Sequence, residues 1–350
     1  MNQNMTSRGS SRVVILGTGG TIAGRAATAS DNVGYEAAQV SIEQLIADVP
    51  ELLRFALVTE QVAQVDSKDM SMAVWQRLLE RVAHHLRQAD VRGVVITHGT
   101  DTLEETAYFL HLALSGAGLA SKPVVLTCAM RPASSHSPDG PQNLLDAVAV
   151  AHDASAQGVV VVCAGVVHSA VAVQKINSYR PDAFSSGEFG AVGFVEEGAV
   201  RWSHSGRLNP AEAPENKTLF AIERIVSAKV WPQVEIVVNH AGADGRLVDL
   251  LLQAHAQQRA TAAESLVETP FEKGGLQGLI VAGTGNGTVH VALQAALLRA
   301  QAAGVEVWRT SRCAFGRVMP TQFDDVLPGA GGLSPVKARV ALMVKLLTEH

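Results

Sequence analysis

An uninterrupted apolar run leads directly into a glycine-rich stretch near the start of the chain. Residues 13–16 read Val-Val-Ile-Leu, and residues 17–24 read Gly-Thr-Gly-Gly-Thr-Ile-Ala-Gly. A short apolar run without polar alternation is typical of a strand buried on both faces of a parallel sheet. Glycines that follow such a strand let the backbone turn sharply and approach a ligand closely. We therefore predict a buried strand that ends in a turn and presents the hydroxyl of Thr21.

A second strand end repeats this plan. Residues 94–97 read Val-Val-Ile-Thr, and residues 98–102 read His-Gly-Thr-Asp-Thr. Thr100 supplies another hydroxyl, and Asp101 supplies a carboxylate that could hold a cationic group such as a substrate ammonium. Free N–H groups at such turns can bind a carboxylate or a developing oxyanion. Two strand ends that each offer a threonine predict one active site at the edge of a parallel sheet.

Structural explanations exist for the same residues. Residues 100–102 could cap the following helix, with Glu104 and Glu105 favourably placed near its N-terminus. His98 could be a base, although we favour a hydrogen-bonded structural histidine. The turn at Thr21 could be a plain connection between strand and helix. The dinucleotide fingerprint G-x-G-x-x-G fails there, because its last position is Ile22.

Three further segments carry weaker signals. Residues 67–70 (Ser-Lys-Asp-Met) follow a strand-like run and could present small polar groups or cap a helix. Lys175 is normally a solvated side chain at such a position, but a buried lysine near Thr100 could deprotonate its hydroxyl. Residues 284–288 (Thr-Gly-Asn-Gly-Thr) lack the Gly-Lys-Ser/Thr of a phosphate loop.

Composition limits the class of protein. The chain has 350 residues, 47% hydrophobic and 17% charged, with a net charge of −5. This length predicts two globular domains. The absence of a basic stripe argues against nucleic acid as a partner. No apolar stretch is long enough to span a membrane, and the polar N-terminal residues carry no signal peptide. We expect a cytoplasmic enzyme, with a periplasmic location as the alternative if a native leader preceded the sequence.

Three cysteines, Cys128, Cys163 and Cys313, show no metal-binding spacing. Their odd number also argues against a disulfide framework. Cys128 and Cys163 lie in apolar strand-like runs, which predicts buried, reduced thiols. No metal and no organic cofactor are implied.

Apolar runs alternate with segments of helical periodicity along the whole chain, which predicts an α/β protein with parallel sheets. Residues 201–217 are polar and contain two prolines, so they are the best linker candidate. The predicted strands are 13–16, 56–64, 94–97, 124–128, 159–163, 234–239, 278–282 and 305–308. The predicted helices are 71–88, 103–114, 143–152, 247–255, 289–302 and 335–347.

Five motifs in order resemble the bacterial-type L-asparaginase family, closest to type II asparaginases and glutaminase-asparaginases. The resemblance runs from about residue 13 nearly to the C-terminus. The motifs are residues 18–24, residues 97–108, residues 129–132 with 139–144, residues 285–287 and residues 337–339.

The resemblance implies a fold and a domain order. It implies a parallel-sheet N-terminal asparaginase domain (12–203) carrying the catalytic threonines, a linker (204–224) and a smaller flavodoxin-like C-terminal asparaginase domain (225–350). It further implies a homotetramer built from dimers, with active sites between pairs of subunits.

The resemblance also implies a reaction, the hydrolysis of L-asparagine to L-aspartate and ammonia through a threonine acyl-enzyme. Thr21 matches the nucleophile, and Tyr35 matches a loop tyrosine that helps to activate it. Thr100, Asp101 and Lys175 match a second catalytic group. Substrate binding is implied for Ser67 at the α-carboxylate and Asp101 at the α-ammonium, and also for Gly20, Lys68, Gly99 and Thr100. Residues 25–34 suit a lid over the substrate.

Three positions depart from the family pattern. Lys68 stands where the family often has Gln or Glu, which puts an extra cation beside the substrate. Thr288 stands where asparagine-selective members often have Asn. Gln322 aligns where some members contribute a Glu from a neighbouring subunit. Two alternatives stay open: an enzyme with substantial L-glutamine activity, or an amino-acid-binding protein without turnover.

Overall fold

The chain divides into two compact units, Met1–Ile222 and Glu223–His350, in the computed structural model. The structure describes residues 11–203, 222–263, 275–321 and 326–349, without the side chains of 261–263. The predicted linker 204–224 lies outside the described residues except for its last three. The domain boundaries therefore stay predictions.

The described part of the first unit contains strands β1 to β10 and helices α1 to α4. The strands are β1 (Arg12–Gly19), β2 (Leu57–Val65), β3 (Val91–Thr97), β4 (Pro123–Thr127), β5 (Gly158–Cys163), β6 (Val166–Ser169), β7 (Gln174–Lys175), β8 (Phe184–Ser185), β9 (Gly193–Glu196) and β10 (Ala199–Trp202). The helices are α1 (Ile42–Ala47), α2 (Met72–Leu86), α3 (Leu103–Gly116) and α4 (Gly140–His152).

In the described residues, the main sheet has eight strands in the order β10-β9-β6-β5-β4-β3-β1-β2. The strands from β2 to β5 are parallel, as predicted. Strands β6, β9 and β10 extend the sheet in antiparallel fashion. These three strands were not predicted, because each has only four residues and two of them are only partly buried. The sheet is thus mostly parallel.

Helices cover both faces of the parallel strands. Val13 and Ile15 pack in a cluster with residues of α1 and α4. Helix α2 packs on β2 and β3, and α3 packs on β5. Val14 and Leu16, whose side chains point to the opposite face from Val13 and Ile15, are also buried. This double burial is why the strand sequences are uninterrupted apolar runs.

Local signals explain where two of these helices begin. Helix α2 starts after Ser71, whose side chain accepts a hydrogen bond from the N–H of Val74 at 3.4 Å, as the capping pattern predicts. Helix α4 begins at Gly140, three residues earlier than predicted. Pro141 lies in its first turn, where a missing N–H leaves no bond unmade.

The second unit is a smaller α/β layer. Helix α5 (Ile222–Ser227) spans the boundary between the units, and the second unit continues with β11 (Gln233–Val238), α6 (Arg246–Ala263), β12 (Leu276–Gly283), α7 (Val291–Ala302), β13 (Glu306–Ser311) and α8 (Pro335–Glu349). The three strands form a parallel sheet in the order β11-β12-β13. Residues of α6 and α7 pack with the strands in one apolar cluster, and α8 contacts all three strands. The predicted parallel α/β arrangement is confirmed, with three strands in the described part of this unit.

Candidate active site

Three loops meet at the carboxyl ends of β1, β2 and β3, which are neighbours in the sheet. A Cβ added to Gly20 would lie 2.3 Å from the Cα of Gly99, and one added to Gly99 would lie 2.4 Å from the Oγ of Ser67. Both distances are far inside van der Waals contact. The two glycines therefore let the three loops touch, which is the convergence predicted from the strand ends.

The first of these loops presents Thr21. Gly19 and Gly20 have φ angles of +103° and +81°, in the region that favours glycine. The N–H of Gly20 is held by the carbonyl of Val65 at 2.9 Å. Thr21 is 5% exposed. Its backbone N–H has no hydrogen-bond acceptor among the described residues, so it could bind an anionic group.

The segment after this turn brings Tyr35 back to Thr21. Arg25 and Glu36 exchange backbone hydrogen bonds of 2.9 and 2.8 Å, which closes the intervening residues into a loop. Asp31 accepts from the N–H groups of Val33 and Gly34, and these bonds lower the pKa of its carboxyl. The hydroxyls of Thr21 and Tyr35 lie 2.7 Å apart. The two residues that the resemblance matches to nucleophile and activator are thus hydrogen-bonded.

A second polar group surrounds Thr100. The Nζ of Lys175 donates to the Oγ1 of Thr100 at 2.8 Å and to the Oδ1 of Asp101 at 2.6 Å. The Lys175 side chain is 18% exposed, so the solvated lysine expected from sequence alone is wrong. Lys175 ends β7, which pairs with β8 as a two-stranded hairpin. The hairpin is what carries this lysine to Thr100, across 75 residues of sequence.

Ser67 ties the second loop to the third. Its Oγ accepts from the N–H of Asp101 at 3.2 Å, and its carbonyl accepts from the hydroxyl of Thr102 at 2.8 Å. Thr102 holds the N-cap position of α3 but makes no capping bond with its side chain. The capping interpretation of residues 100–102 is therefore wrong for the Thr102 hydroxyl. Because the Oγ of Ser67 acts as the acceptor in its bond with the N–H of Asp101, the Ser67 O–H remains available to donate to a carboxylate.

Lys68 binds the carboxylates of its own turn. Its Nζ lies 2.7 Å from Asp66 and 3.1 Å from Asp69, and its side chain is 61% exposed. The hydrogen bonds to these two aspartates raise the pKa of the Lys68 ammonium. The extra cation expected from the sequence is thus partly balanced by two neighbouring anions.

His98 is a structural residue, as predicted. It is fully buried, and burial lowers its pKa to about 4. Its Nδ1 lies 2.7 Å from the carbonyl oxygen of Gly99, and its Nε2 lies 3.0 Å from the Oγ1 of Thr106. Thr106 in turn is bonded to the indole N–H of Trp75 at 2.9 Å. Sequence reasoning missed the roles of Thr106 and Trp75, because both fall on the apolar faces of predicted helices.

Residues 129–132 and 139–144, the third of the five motifs, are joined by hydrogen bonds next to the site. The carboxylate of Asp139 accepts from the N–H groups of Met130 and Arg131, both at 2.9 Å. Asn143 donates to the carbonyl of Cys128 and accepts from the N–H of Ala164. These bonds tie the loops that follow β4 and β5 to α4.

The cysteines agree with the sequence analysis. Cys128 and Cys163 are buried free thiols, and Cys313 is exposed and free. The sulfur of Cys128, directly after β4, lies 3.5 Å from that of Cys163, the last residue of the neighbouring strand β5. Their mutual hydrogen bond, together with burial, raises the pKa of Cys128.

The glycine turn of the second unit closes on itself. The backbones of Thr284 and Thr288 exchange hydrogen bonds of 2.9 and 2.7 Å. Their hydroxyls lie 2.9 Å apart. The hydroxyl of Thr288 is therefore bonded within the turn, to Thr284. Gln322, the other departure from the family pattern in this unit, lies outside the described residues.

The described residues offer neither a metal-binding cluster nor a membrane-spanning helix. No group of three or more His, Cys, Asp or Glu side chains could hold a metal ion within the described ranges. Among the same residues, no helix is both long and apolar enough to cross a membrane.

Comparison with known proteins gives matches over both units. The family model "Asparaginase, N-terminal" matches residues 12–207, and "Glutaminase/Asparaginase C-terminal domain" matches residues 233–350. A glutaminase-asparaginase of Pseudomonas fluorescens biotype A is 39% identical, covering 95% of this chain and 86% of the relative. L-asparaginase 2 of Escherichia coli strain K12 is 36% identical, covering 95% and 88% respectively.

A solved structure agrees with these sequence matches. The crystal structure of a probable cytoplasmic L-asparaginase from Campylobacter jejuni superposes with a TM-score of 0.82 at 35% identity. The match covers 96% of this chain and 95% of that one. With both domain models matched and relatives 36% to 39% identical over 95% of its length, this chain belongs to the asparaginase family.

Proposed function

We propose that this enzyme hydrolyses L-asparagine to L-aspartate and ammonia, with Thr21 as the nucleophile. The 2.7 Å contact between the hydroxyls of Thr21 and Tyr35 is the observation that carries the proposal. A threonine hydroxyl is a weak nucleophile unless a neighbouring group takes its proton. Tyr35 is the described group in hydrogen-bond contact with the Thr21 hydroxyl.

The reaction has two balanced steps. In the first, Thr21 Oγ1 bonds to the side-chain carbonyl carbon of the substrate, the C–N bond breaks, and the threonine proton leaves on ammonia. In the second, water attacks the acyl-enzyme ester, releases aspartate and returns a proton to Thr21. The Thr100–Lys175 pair, bonded at 2.8 Å, is our candidate for activating that water.

Two backbone groups are candidates to stabilise the transition state. The N–H groups of Thr21 and Thr100 have no acceptors among the described residues. Donors of this kind that face a developing oxyanion lower the barrier of acyl transfer. Such fixed donors need no reorganisation at the moment of reaction.

Charge complementarity supports a zwitterionic amino acid as the substrate. The Asp101 carboxylate is 53% exposed and can receive an α-ammonium. The Ser67 hydroxyl can donate to an α-carboxylate. A small substrate held at both ends leaves its side-chain amide to face Thr21, and such fixation supplies much of the rate.

L-glutamine is the second candidate substrate. The relative from Pseudomonas fluorescens biotype A is named a glutaminase-asparaginase, and so is one from Acinetobacter glutaminasificans that is 36% identical.

The homotetramer and the cytoplasmic location also belong to this proposal. Relatives carry both periplasmic and cytoplasmic names.

Ammonia release over a concentration series of L-asparagine and L-glutamine tests the proposal. For Thr21→Ala we expect turnover to fall by about 10³-fold or more while aspartate binding measured by calorimetry persists. Thr21→Ser, which keeps a hydroxyl, is the matched control and should retain measurable turnover. Near-normal activity in Thr21→Ala would refute the nucleophile. Faster release from L-glutamine would reverse the substrate assignment, and aspartate binding without turnover in the native protein would indicate a binding protein.

A further inference from the structure

Three polar side chains form a buried chain behind the Thr100 loop. Trp75 is 2% exposed, and Thr106 and His98 are completely buried. The contacts run from Trp75 Nε1 to Thr106 Oγ1 at 2.9 Å, from Thr106 Oγ1 to His98 Nε2 at 3.0 Å, and from His98 Nδ1 to the carbonyl oxygen of Gly99 at 2.7 Å. The chain crosses from α2 through α3 to the end of β3.

The chemistry of the two ends determines the direction of every bond. An indole N–H can only donate, and a carbonyl oxygen can only accept. His98 must therefore donate through Nδ1 to Gly99. Since burial keeps this imidazole neutral at neutral pH, Nε2 is left as an acceptor for the hydroxyl proton of Thr106. Thr106 then accepts from Trp75. All protons in the chain point towards Gly99.

The peptide that receives this chain lies in the site. The Gly99 carbonyl belongs to the planar trans peptide that links Gly99 to Thr100. When His98 holds the carbonyl oxygen on one side, the N–H of Thr100 must point to the other side. That N–H is a candidate oxyanion donor, and the same residue's hydroxyl contacts Lys175.

We propose that Trp75, Thr106 and His98 are positioning residues that fix the orientation of the Gly99–Thr100 peptide for catalysis. The inference rests on the proposed function and deepens it. None of the three needs to touch the substrate. They act through the peptide they orient.

The packing of Trp75 can be separated from its hydrogen bond. Its ring stacks on Phe109 with centroids 4.8 Å apart and an interplanar angle of 9°. Trp75→Phe removes the indole N–H and keeps an aromatic ring in this stack. Thr106→Val keeps the shape of the side chain and removes the hydroxyl that locks the His98 tautomer. Thr106→Ser keeps that hydroxyl and serves as the rescuing variant.

Steady-state kinetics on L-asparagine, with aspartate binding by calorimetry, test the inference at a temperature where all variants are folded by circular dichroism. We expect Thr106→Val to lower kcat by about 10- to 100-fold with little change in KM, because a misaligned donor weakens the transition state more than the ground state. Thr106→Ser should restore most of kcat, and Trp75→Phe should show a smaller loss. Thr310→Val, the same change at a buried threonine of the second unit whose hydroxyl donates to the carbonyl of Val281, should leave kcat unchanged.

A folded Thr106→Val enzyme with native kcat would overturn the inference. So would an equal loss of kcat in Thr310→Val, since the effect would then be general destabilisation. An active Thr21→Ala enzyme, by contrast, would defeat the proposed function itself. If Thr21→Ala is inactive while Thr106→Val is native in rate, only the positioning role fails.

Discussion

The turn after β1 and the turn after β12 have similar sequences and opposite chemistry. Each follows an apolar strand that lies between two parallel neighbours, and each combines glycines with threonines. In the second turn, Thr284 and Thr288 use both backbone and hydroxyl groups on each other. In the first, Thr21 contacts Tyr35, 14 residues further along the same connection, and keeps its N–H without an acceptor among the described residues. A turn becomes reactive when its polar groups are not already used internally.

The two turns also differ in which neighbouring groups hold their backbones in place. The backbone of the second turn is fastened by side chains, with Ser311 donating to the carbonyl of Gly285 and Arg309 donating to that of Asn286. The first turn touches other backbone instead, at Gly99 and Val65. Close backbone approach brings separate loops together and leaves their side chains to face a common space.

The largest expected difference comes from adding one methyl group to each turn. In Gly20→Ala the new Cβ would lie 2.3 Å from the backbone of Gly99, at a φ of +81°. We expect a loss of about 2–5 kcal/mol in the free energy of unfolding and loss of measurable turnover. In Gly285→Ala no atom lies within 4 Å, so only the left-handed backbone costs about 1 kcal/mol. Denaturant unfolding and ammonia release measure both, and equal destabilisation would contradict the proposed contrast.

An intermediate effect is expected from removing the cation beside Thr100. Lys175→Met should lower kcat by about 100-fold or more, because it removes the group that contacts the Thr100 hydroxyl. The matched control is Lys345→Met, which removes a lysine bonded to Glu306 in the second unit. Its kcat should be native. An unchanged rate in Lys175→Met would mean that the match to the family lysine is accidental.

The smallest effect is expected in the closed turn. Thr288→Ala removes hydrogen bonds between the hydroxyl of Thr288 and Thr284, both at 2.9 Å, from an exposed residue. We expect a loss of about 0.5–1.5 kcal/mol in stability and a change in kcat on L-asparagine below about threefold. Thermal unfolding and steady-state rates provide the check. A loss of activity comparable to that of Thr21→Ala would show that the two turns are equivalent after all.

Much of the fold could be predicted because burial leaves a direct record in the sequence. The uninterrupted apolar runs of β1 and β3 follow from helices on both faces of the sheet, and Ser71 marks the start of α2 by its capping side chain. Short elements without an uninterrupted apolar run leave no such record. Helix α1 and strands β6 to β10 have at most six residues each, too few to show a period. Helix α6 also runs to Ala263, beyond its predicted end.

The residues of the candidate site were likewise predictable from the sequence only in part. Thr21 and Thr100 could be predicted because each follows a recognisable strand, and parallel strands end at one edge. Lys175 could not, since it lies on a two-residue strand whose pairing with β8 is a tertiary contact. For Lys175 and Tyr35, the resemblance to the asparaginase family supplied what periodicity did not. The hydrogen bonds of Trp75 and Thr106 could not be predicted, because in the sequence both residues fall on apolar helix faces and look like ordinary core residues.

The α/β class, the buried strands, the two glycine turns and the family can all be recognised in the amino-acid sequence alone. Each of these depends on local periodicity, local backbone freedom or an ordered set of motifs. The folded structure is needed to show which hydroxyls are available, which lysine reaches Thr100, and which way the Gly99–Thr100 peptide is held. The physical reason is that hydrogen-bond partners distant in sequence are chosen by the packing of loops and helices, and a local pattern does not encode that packing.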